Sequence, residues 1–315
     1  MTRLIVAAAQ MGPVARHEPR SAAVARMVAL MRAAHARGAR LVVFPELALT
    51  SFFPRWILEG DALEAWFEGP LPGPEARPLF ETAAALGVGF VLGYAERTAD
   101  GRHFNSALLV GADGQVIGRY RKVHLPGHDA PQPGRAFQHL EKRYFLPGDL
   151  GFPVFPAFGA RLGMLICNDR RWPEAWRCLG LQGAELVCLG YNTPLDHTGH
   201  AEIDSLSAFH NHLSMQAGAY QNALWVVAAA KCGREEGSDM LGQSAIIAPS
   251  GQIVAMAAGL DDEVICAEID LGMGRRYRET IFDLARHREP GAYRLIVERK
   301  GAGDPLPLSP AARGA

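Results

Sequence analysis

The stretch Gly163-Met164-Leu165-Ile166-Cys167-Asn168-Asp169-Arg170-Arg171-Trp172-Pro173-Glu174 decides how this chain folds. Residues 164–166 form a short apolar run, which is typical of a buried strand. Pro173 suits the first turn of a helix, where its missing N–H costs no hydrogen bond, and Glu174 favours the positive end of the helix dipole. The sequence therefore predicts a strand that ends at Cys167 and turns at once into a helix.

A cysteine in this position is suited to nucleophilic chemistry. Backbone N–H groups and the dipole at a helix N-terminus favour a thiolate. Arg170 and Arg171 follow within four residues, and the guanidinium fork matches the geometry of a carboxylate. We interpret Cys167 as a nucleophile and the arginine pair as a clamp for a substrate carboxylate. The other cysteines have no disulfide or zinc-site spacing, so we expect small buried hydrophobes at Cys178, Cys188, Cys232 and Cys266.

Composition excludes several classes of protein. The 315 residues are 49% hydrophobic and 21% charged with a net charge of −1, and the basic residues are dispersed. We therefore expect no nucleic-acid partner and no membrane-surface role. No apolar run approaches the roughly 20 residues that span a bilayer. Residues 1–10 predict a first strand rather than a secretory signal, and an odd number of cysteines fits a reducing cytosol, so we expect a cytoplasmic protein.

Apolar strand patterns alternate with helical ones along the chain. Helices are predicted at 21–38, 74–86, 205–221 and 275–288, and strands at 4–9, 41–46, 89–94, 104–110, 115–124, 185–191, 224–230, 244–248, 252–255 and 264–269. Neither a G-x-G-x-x-G loop nor a Walker pattern is present. The sequence predicts an α/β fold with mixed sheets in one domain, residues 1–299, followed by a mobile Pro/Gly/Ala-rich tail, residues 300–315.

Glu46, Lys122 and Cys167 each end or follow an apolar strand, where α/β sheets present catalytic side chains. A carboxylate can take the proton of a cysteine nucleophile, and a fixed ammonium can stabilise the oxyanion formed by attack on a carbonyl. Taken singly, each of these side chains is ordinary. Together they predict acyl transfer with Cys167 as nucleophile.

Three blocks of sequence resemble the signatures of the nitrilase superfamily of carbon–nitrogen hydrolases. They are Phe44-Pro45-Glu46, residues 120–125 and residues 166–174, and their order and separation also match. Within that superfamily the chain is most similar to the N-carbamoyl-D-amino acid hydrolases, over residues 4–297. The resemblance implies a four-layer α-β-β-α sandwich, a homodimer or homotetramer, and a reaction that needs no cofactor and no metal.

The resemblance also implies a reaction and the residues that perform it. Cys167 attacks the carbamoyl carbon of an N-carbamoyl-D-amino acid, Glu46 acts as base, and Lys122 with the N–H of Asn168 holds the oxyanion. Glu141 is the second carboxylate and orients Lys122. The products are the D-amino acid, carbon dioxide and ammonia, released through a cysteine-bound carbamoyl group. The implied substrate-binding residues are Asn168, Arg170, Arg171, His139, His124, Asn192 and Thr193.

Several alternatives stay open. The chain could be another superfamily amidase, a nitrilase, or a carbamoylase for β-alanine (a β-ureido acid) or putrescine; it could also be an idle scaffold subunit. A metal-dependent carbamoylase is a third alternative. Histidine density suggests metal, but the spacing fits no H-E-x-x-H motif, so no metal site is expected at His197, His200, Asp204, His210 and His212. Residues 128–134 and 195–203 depart from the D-carbamoylase pattern and leave the side-chain preference open.

Overall fold

The computed structural model describes residues 3–135, 137–196 and 198–306, so residues 307–315 of the predicted tail lie outside the described part. The strands of this part are, in chain order, β1 Arg3–Gln10, β2 Leu41–Val43, β3 Gly89–Arg97, β4 His103–Val110, β5 Val116–Arg121, β6 Val154–Ala157, β7 Ala160–Ile166, β8 Leu186–Tyr191, β9 Trp225–Ala230, β10 Cys232–Glu235, β11 Ser238–Leu241, β12 Ala245–Ile247, β13 Ile253–Met256 and β14 Glu263–Asp270.

The α-helices of the same residues are α1 Arg20–Ala36, α2 Asp61–Glu64, α3 Arg77–Leu86, α4 Glu141–Tyr144, α5 Pro173–Leu181, α6 Ala201–Asp204, α7 Ser207–Asn222, α8 Met273–Arg278, α9 Leu284–His287 and α10 Arg294–Glu298. Short 3-10 helices occur at Phe53–Arg55, Cys167–Arg171 and Pro290–Tyr293. In the described ranges, every helix is too short or too polar to cross a bilayer.

Two six-stranded mixed sheets form the centre of the molecule. The first has the order β14-β1-β2-β3-β4-β5 and the second β13-β12-β9-β8-β7-β6. In each sheet, three adjacent strands (β1, β2 and β3 in the first; β9, β8 and β7 in the second) pair in parallel, and the other described pairings are antiparallel. β10 and β11 make a separate hairpin. The two sheets therefore repeat one plan.

Side chains on alternate positions of β1 divide the core into layers. Val6 and Ala8 pack with the strands of the second sheet, whereas Ala7 and Ala9 pack with helices α1 and α3. On the other side of the molecule, α5 and α7 pack on the second sheet through residues such as Trp176 and Met215. The fold is the four-layer α-β-β-α sandwich that the resemblance implies.

The chain after β2 passes unusually close to two strands. The strand predicted at 41–46 ends at Val43. Pro45 has no N–H to donate to a neighbouring strand, and Leu47 has a φ of +47, which is incompatible with an extended strand. A Cβ added to Gly93 would lie 2.4 Å from the Pro45 oxygen, and one added to Gly190 would lie 2.6 Å from the Glu46 nitrogen. Glycine on β3 and β8 thus makes room for Glu46 between the two sheets.

The C-terminal half also differs from the sequence prediction at a helix and at a hairpin. The single helix predicted at 275–288 is wrong: α8 and α9 are separate, because Phe282 turns back to pack edge-on against Tyr220 (4.8 Å between ring centroids) and Asp283 caps α9 by accepting from the Arg286 N–H. The hairpin β10–β11 was not predicted. Its turn places Glu236 at φ +49 and Gly237 at φ +85, as a tight hairpin turn requires.

Candidate active site

Two carboxylates hold one ammonium in a buried cluster at the end of the strands. Lys122 Nζ donates to Glu46 Oε1 at 2.7 Å and to Glu141 Oε2 at 2.6 Å. All three side chains are fully buried. An ammonium has three N–H donors, so one remains for a substrate oxygen. The structure therefore brings Glu46, Lys122 and Glu141 together in one cluster.

Burial and mutual charge set the protonation of this cluster. Burial acts to lower the pKa of Lys122, but the carboxylates of Glu141 and Glu46 outweigh it and raise that pKa, so Lys122 stays charged. Burial likewise opposes ionisation of Glu141, yet Lys122 and the hydrogen bond with His139 lower its pKa to about 2. Burial raises the pKa of Glu46 despite Lys122. Glu141 is a fixed anion, whereas Glu46 is the carboxyl poised to exchange a proton.

Cys167 begins the 3-10 helix directly after β7, and Pro173 begins α5, as predicted. The backbone φ of Cys167 is +46, a strained value for a residue with a side chain. Strain of this kind is common at functional sites. The expectation that the helix terminus stabilises a Cys167 thiolate is wrong. Burial, and then the Glu46 carboxylate, raise the pKa of the Cys167 thiol. The nucleophile therefore rests as a thiol that needs a base.

Glu46 has an oxygen free for that role. Its Oε1 accepts from Lys122 and from Asn105 Nδ2, both at 2.7 Å, whereas the buried Oε2 has no hydrogen-bond partner among the described residues. Asn105 was not predicted as a site residue. It also lies 3.4 Å from Glu141 Oε2 and so links the two carboxylates. Its signal in the sequence was weak, because Asn105 is followed by a second polar residue, Ser106, in the same strand.

Asp169 joins the cysteine turn to the segment after Lys122, and the sequence reasoning gave it no role. Its Oδ2 accepts from the Tyr120 hydroxyl (2.7 Å) and the Ile166 N–H (3.0 Å). Its Oδ1 accepts from the His124 N–H (3.0 Å) and lies 2.8 Å from His124 Nδ1. Four contacts on one buried carboxylate fix the nucleophile relative to the first sheet.

The predicted arginine pair is divided between two positions. Arg170 is buried: its Nη1 donates to the Cys167 carbonyl (2.6 Å) and lies 3.7 Å from Sγ, and its Nη2 donates to Thr193 Oγ1 (2.9 Å). Arg171 remains accessible to solvent and donates to Asn168 Oδ1 (3.1 Å). Surrounding protein and the nearby Arg170 lower its pKa to about 10, so it stays cationic at neutral pH. Arg170 holds the cysteine turn, and Arg171 is the guanidinium open to a ligand.

The other predicted site residues surround this cluster. His139 Nε2 lies 3.1 Å from Glu141 Oε1, and His124 stacks on Trp172 with 5.2 Å between ring centroids. Thr193 Oγ1 is 3.9 Å from Cys167 Sγ. Asn192 is buried, and neither polar atom of its side chain has a partner in the described ranges. Asn168 is pinned by its Nδ2, which donates to the His124 carbonyl at 3.0 Å.

Within the described part of the chain, the remaining histidines and cysteines do not form a second site. His197 lies outside the described residues, and in the rest no group of three or more His, Cys, Asp or Glu side chains is placed to hold a metal ion. Cys188 and Cys232 are buried as expected, but Cys266 is only half-buried and Cys178 is exposed, because it lies on the solvent side of α5.

A buried thiol, an unpaired carboxylate oxygen and a spare ammonium N–H make an acyl-transfer site, and comparison with known proteins places it in a family. The carbon–nitrogen hydrolase profile matches residues 5–279, so the chain belongs to that family, the nitrilase superfamily. It is 33% identical over 290 residues to an N-carbamoylputrescine amidase of Solanum lycopersicum, covering 89% of this chain and 91% of that one. A nitrilase of Pyrococcus abyssi is 34% identical over 252 residues, covering 79% and 84% of the two chains.

Solved structures agree on the fold. A carbon–nitrogen hydrolase from Helicobacter pylori G27 superposes with a TM-score of 0.79 at 25% identity, covering 94% of this chain and 99% of that one. An amidase from Nesterenkonia sp. AN1, solved with the acetamide moiety of fluoroacetamide added covalently at its active site cysteine, gives 0.69 at 22% identity, with 90% and 96% covered. The protein is a nitrilase-superfamily amidase, a hydrolase of carbon–nitrogen bonds.

Proposed function

We propose that the protein hydrolyses N-carbamoyl-D-amino acids to the D-amino acid, carbon dioxide and ammonia. The observation that carries the proposal is the solvent-accessible Arg171 guanidinium, next to the buried Arg170 that contacts Cys167. A substrate whose carboxylate lies near the scissile carbonyl would pair with this guanidinium through two parallel hydrogen bonds. The D preference rests on the resemblance to D-carbamoylases.

Charge distinguishes this proposal from the activity named for the plant relatives. N-carbamoylputrescine carries an ammonium where an N-carbamoyl amino acid carries a carboxylate. Two guanidinium groups beside the nucleophile would repel that ammonium. By Coulomb's law, this repulsion costs several kcal/mol in a partly dehydrated site. The carbamoyl group is common to both substrates, so the reaction at Cys167 is the same.

The cluster supplies each step of acylation. Glu46 Oε2 takes the proton of the Cys167 thiol as sulfur attacks the carbamoyl carbon. Lys122 donates its third N–H to the oxyanion, together with the backbone N–H of Asn168. Glu46 then returns the proton to the departing amine, and the carbon–nitrogen bond breaks. The amino acid leaves, and a carbamoyl thioester remains on Cys167.

Water completes the cycle. Glu46, again a carboxylate, accepts a proton from a water molecule that attacks the thioester carbonyl, and the released thiolate is reprotonated. The other product is carbamic acid, which decomposes to carbon dioxide and ammonia. Glu141 keeps Lys122 charged and in place through both half-reactions.

We propose further that the subunits form a homodimer or homotetramer in the cytoplasm. Exposed apolar side chains on α7, such as Phe209 (59% exposed) and Leu213 (50%), support pairing through this helix. Light scattering of the purified protein tests the assembly, and a monomeric mass at micromolar concentration contradicts it.

The test of the activity is ammonia release from N-carbamoyl-D-alanine, N-carbamoyl-L-alanine and N-carbamoylputrescine, each with EDTA or iodoacetamide. We expect release from the D form alone, unaffected by EDTA and abolished by iodoacetamide. Release from the putrescine derivative would replace the substrate assignment, and loss with EDTA would replace the mechanism.

A further inference from the structure

A charged cavity is lined by residues from the segments just before His139 and just after Thr193, and it has no role in the steps above. Its volume is about 570 Å³. Two apolar residues, Phe137 and Leu195, form part of its wall. The rest is dominated by polar and charged groups, among them Arg135, Asp196, Arg234, Glu236 and Asp239.

The walls of this cavity are continuations of the segments that contact the reacting groups. Leu195 is two residues beyond Thr193, whose hydroxyl lies 3.9 Å from Cys167 Sγ. Phe137 is two residues before His139, which contacts Glu141. A group bound at the nucleophile would thus have this space beside it.

We propose that the cavity receives the side chain of the substrate and selects a long, uncharged, polar one that ends in an amide or ureido group. This inference rests on the proposed function, since it concerns the side chain of an N-carbamoyl amino acid. It assigns specificity to Arg234 and Asp239, which the hairpin β10–β11 brings to the cavity.

The backbone of the hairpin is anchored by a buried residue that lies between two of the cavity residues. Glu235, between two cavity residues, is fully buried and accepts from Arg55 Nη2 (2.8 Å), Lys231 Nζ (3.0 Å) and the Phe52 N–H (2.8 Å). The Arg55 guanidinium also lies 5.2 Å from the centre of the Phe137 ring. One buried ionic network therefore anchors two walls of the cavity.

The two hairpin residues keep hydrogen-bonding capacity for a ligand. Arg234 and Asp239 lie directly opposite each other in the register of the β10–β11 hairpin, and both are exposed. Among the described contacts they form no ion pair with each other. A guanidinium offers donors and a carboxylate offers acceptors, and a neutral amide needs one of each.

Side chains of other chemistry fit the cavity less well. An apolar side chain would dehydrate these charges without replacing their hydrogen bonds. A charged side chain would pair with one of Arg234 and Asp239 and be repelled by the other, whereas a neutral amide can hydrogen-bond to both.

The experiment compares kcat/KM for N-carbamoylglutamine and N-carbamoylmethionine, which have side chains of similar length, using both enantiomers of each. For the enantiomer that is hydrolysed, we expect glutamine to exceed methionine by roughly tenfold, the effect of one or two net hydrogen bonds. The double variant Arg234→Ala/Asp239→Ala should bring this ratio close to one. The matched control Arg32→Ala/Glu75→Ala, at exposed positions on α1 and before α3, should leave it unchanged. Thermal melts of both variants check the fold.

The outcomes separate the two proposals. A methionine rate equal to or above that of glutamine overturns the inference about the cavity while the observed hydrolysis supports the proposed function. A glutamine preference that survives in the Arg234/Asp239 variant overturns the assignment to these residues. Absence of hydrolysis with all four compounds overturns the proposed function and the inference with it.

Discussion

Replacing Asp169 with Asn should loosen the attachment of the nucleophile to the rest of the site. The carboxylate accepts from the Tyr120 hydroxyl, from His124 and from the Ile166 N–H. A carboxamide keeps one oxygen, and its NH₂ must face either the Ile166 N–H or the His124 N–H. The hydroxyl and the imidazole can adapt by exchanging donor and acceptor roles, but a backbone N–H cannot.

The size of the effect follows from that count. One buried N–H left unpaired lowers the free energy of unfolding by about 1–3 kcal/mol. The remaining hydrogen bonds are weaker because their acceptor is no longer charged, and the total loss is about 3 kcal/mol. At about 2 °C for each kcal/mol in a chain of this size, Tm should fall by about 6 °C. Because Ile166 and Cys167 are adjacent, kcat should fall by about 100-fold, as expected for a displacement near 1 Å.

The assay is a thermal melt together with steady-state ammonia release. Asp113→Asn is the matched control, since Asp113 is exposed and, among the described residues, accepts a hydrogen bond only from the Gln115 N–H in a turn, a contact that Asn can keep. An Asp169→Asn enzyme with the Tm and kcat of the wild type would refute the role of this carboxylate.

Three further predictions concern the reacting groups. Cys167→Ala should abolish turnover, whereas Cys178→Ala, at an exposed position, should retain it; equal rates would remove the nucleophile assignment. Arg171→Lys should raise KM by about tenfold with little change in kcat, through loss of the bidentate fork; an unchanged KM contradicts the carboxylate contact. Burial raises the pKa of Glu46, and this carboxyl must be ionised to act. The acid limb of the pH profile of kcat/KM should therefore have its midpoint above pH 4.5. Asn105→Ala removes a hydrogen bond that stabilises the carboxylate and should move this limb to higher pH, and a shift to lower pH would contradict it.

Local signals were sufficient to predict the cysteine turn. The apolar run before Cys167, and Pro173 and Glu174 after it, lie within twelve residues, and the structure has the strand, turn and helix in that order. The positions of Glu46 and Lys122 after apolar strands indicated these two residues, and the resemblance supplied Glu141. The layered sandwich, too, follows from that resemblance, since alternation of strands and helices alone is compatible with many α/β folds.

Contacts between distant parts of the chain were beyond sequence reasoning. Glu235 has the sequence context of a surface residue, and its burial is explained only by Arg55, 180 positions away. Asn105 comes within hydrogen-bonding distance of Glu46, 59 positions away, only once the first sheet has formed. The raised pKa of Cys167 reflects burial and the Glu46 charge, whereas the sequence suggested only a helix terminus. In each case the deciding partner is non-local.

The pairing of β1 with β14 has a consequence for synthesis on the ribosome. β1 emerges before β2–β14, yet its edge partner, β14, spans residues 263–270. Until those residues leave the exit tunnel, the nascent chain presents the bare edge of an apolar strand, which invites pairing with other chains. Premature termination upstream of β14 should therefore yield insoluble fragments, and the full-length protein should benefit from chaperones that shield its N-terminal region during translation.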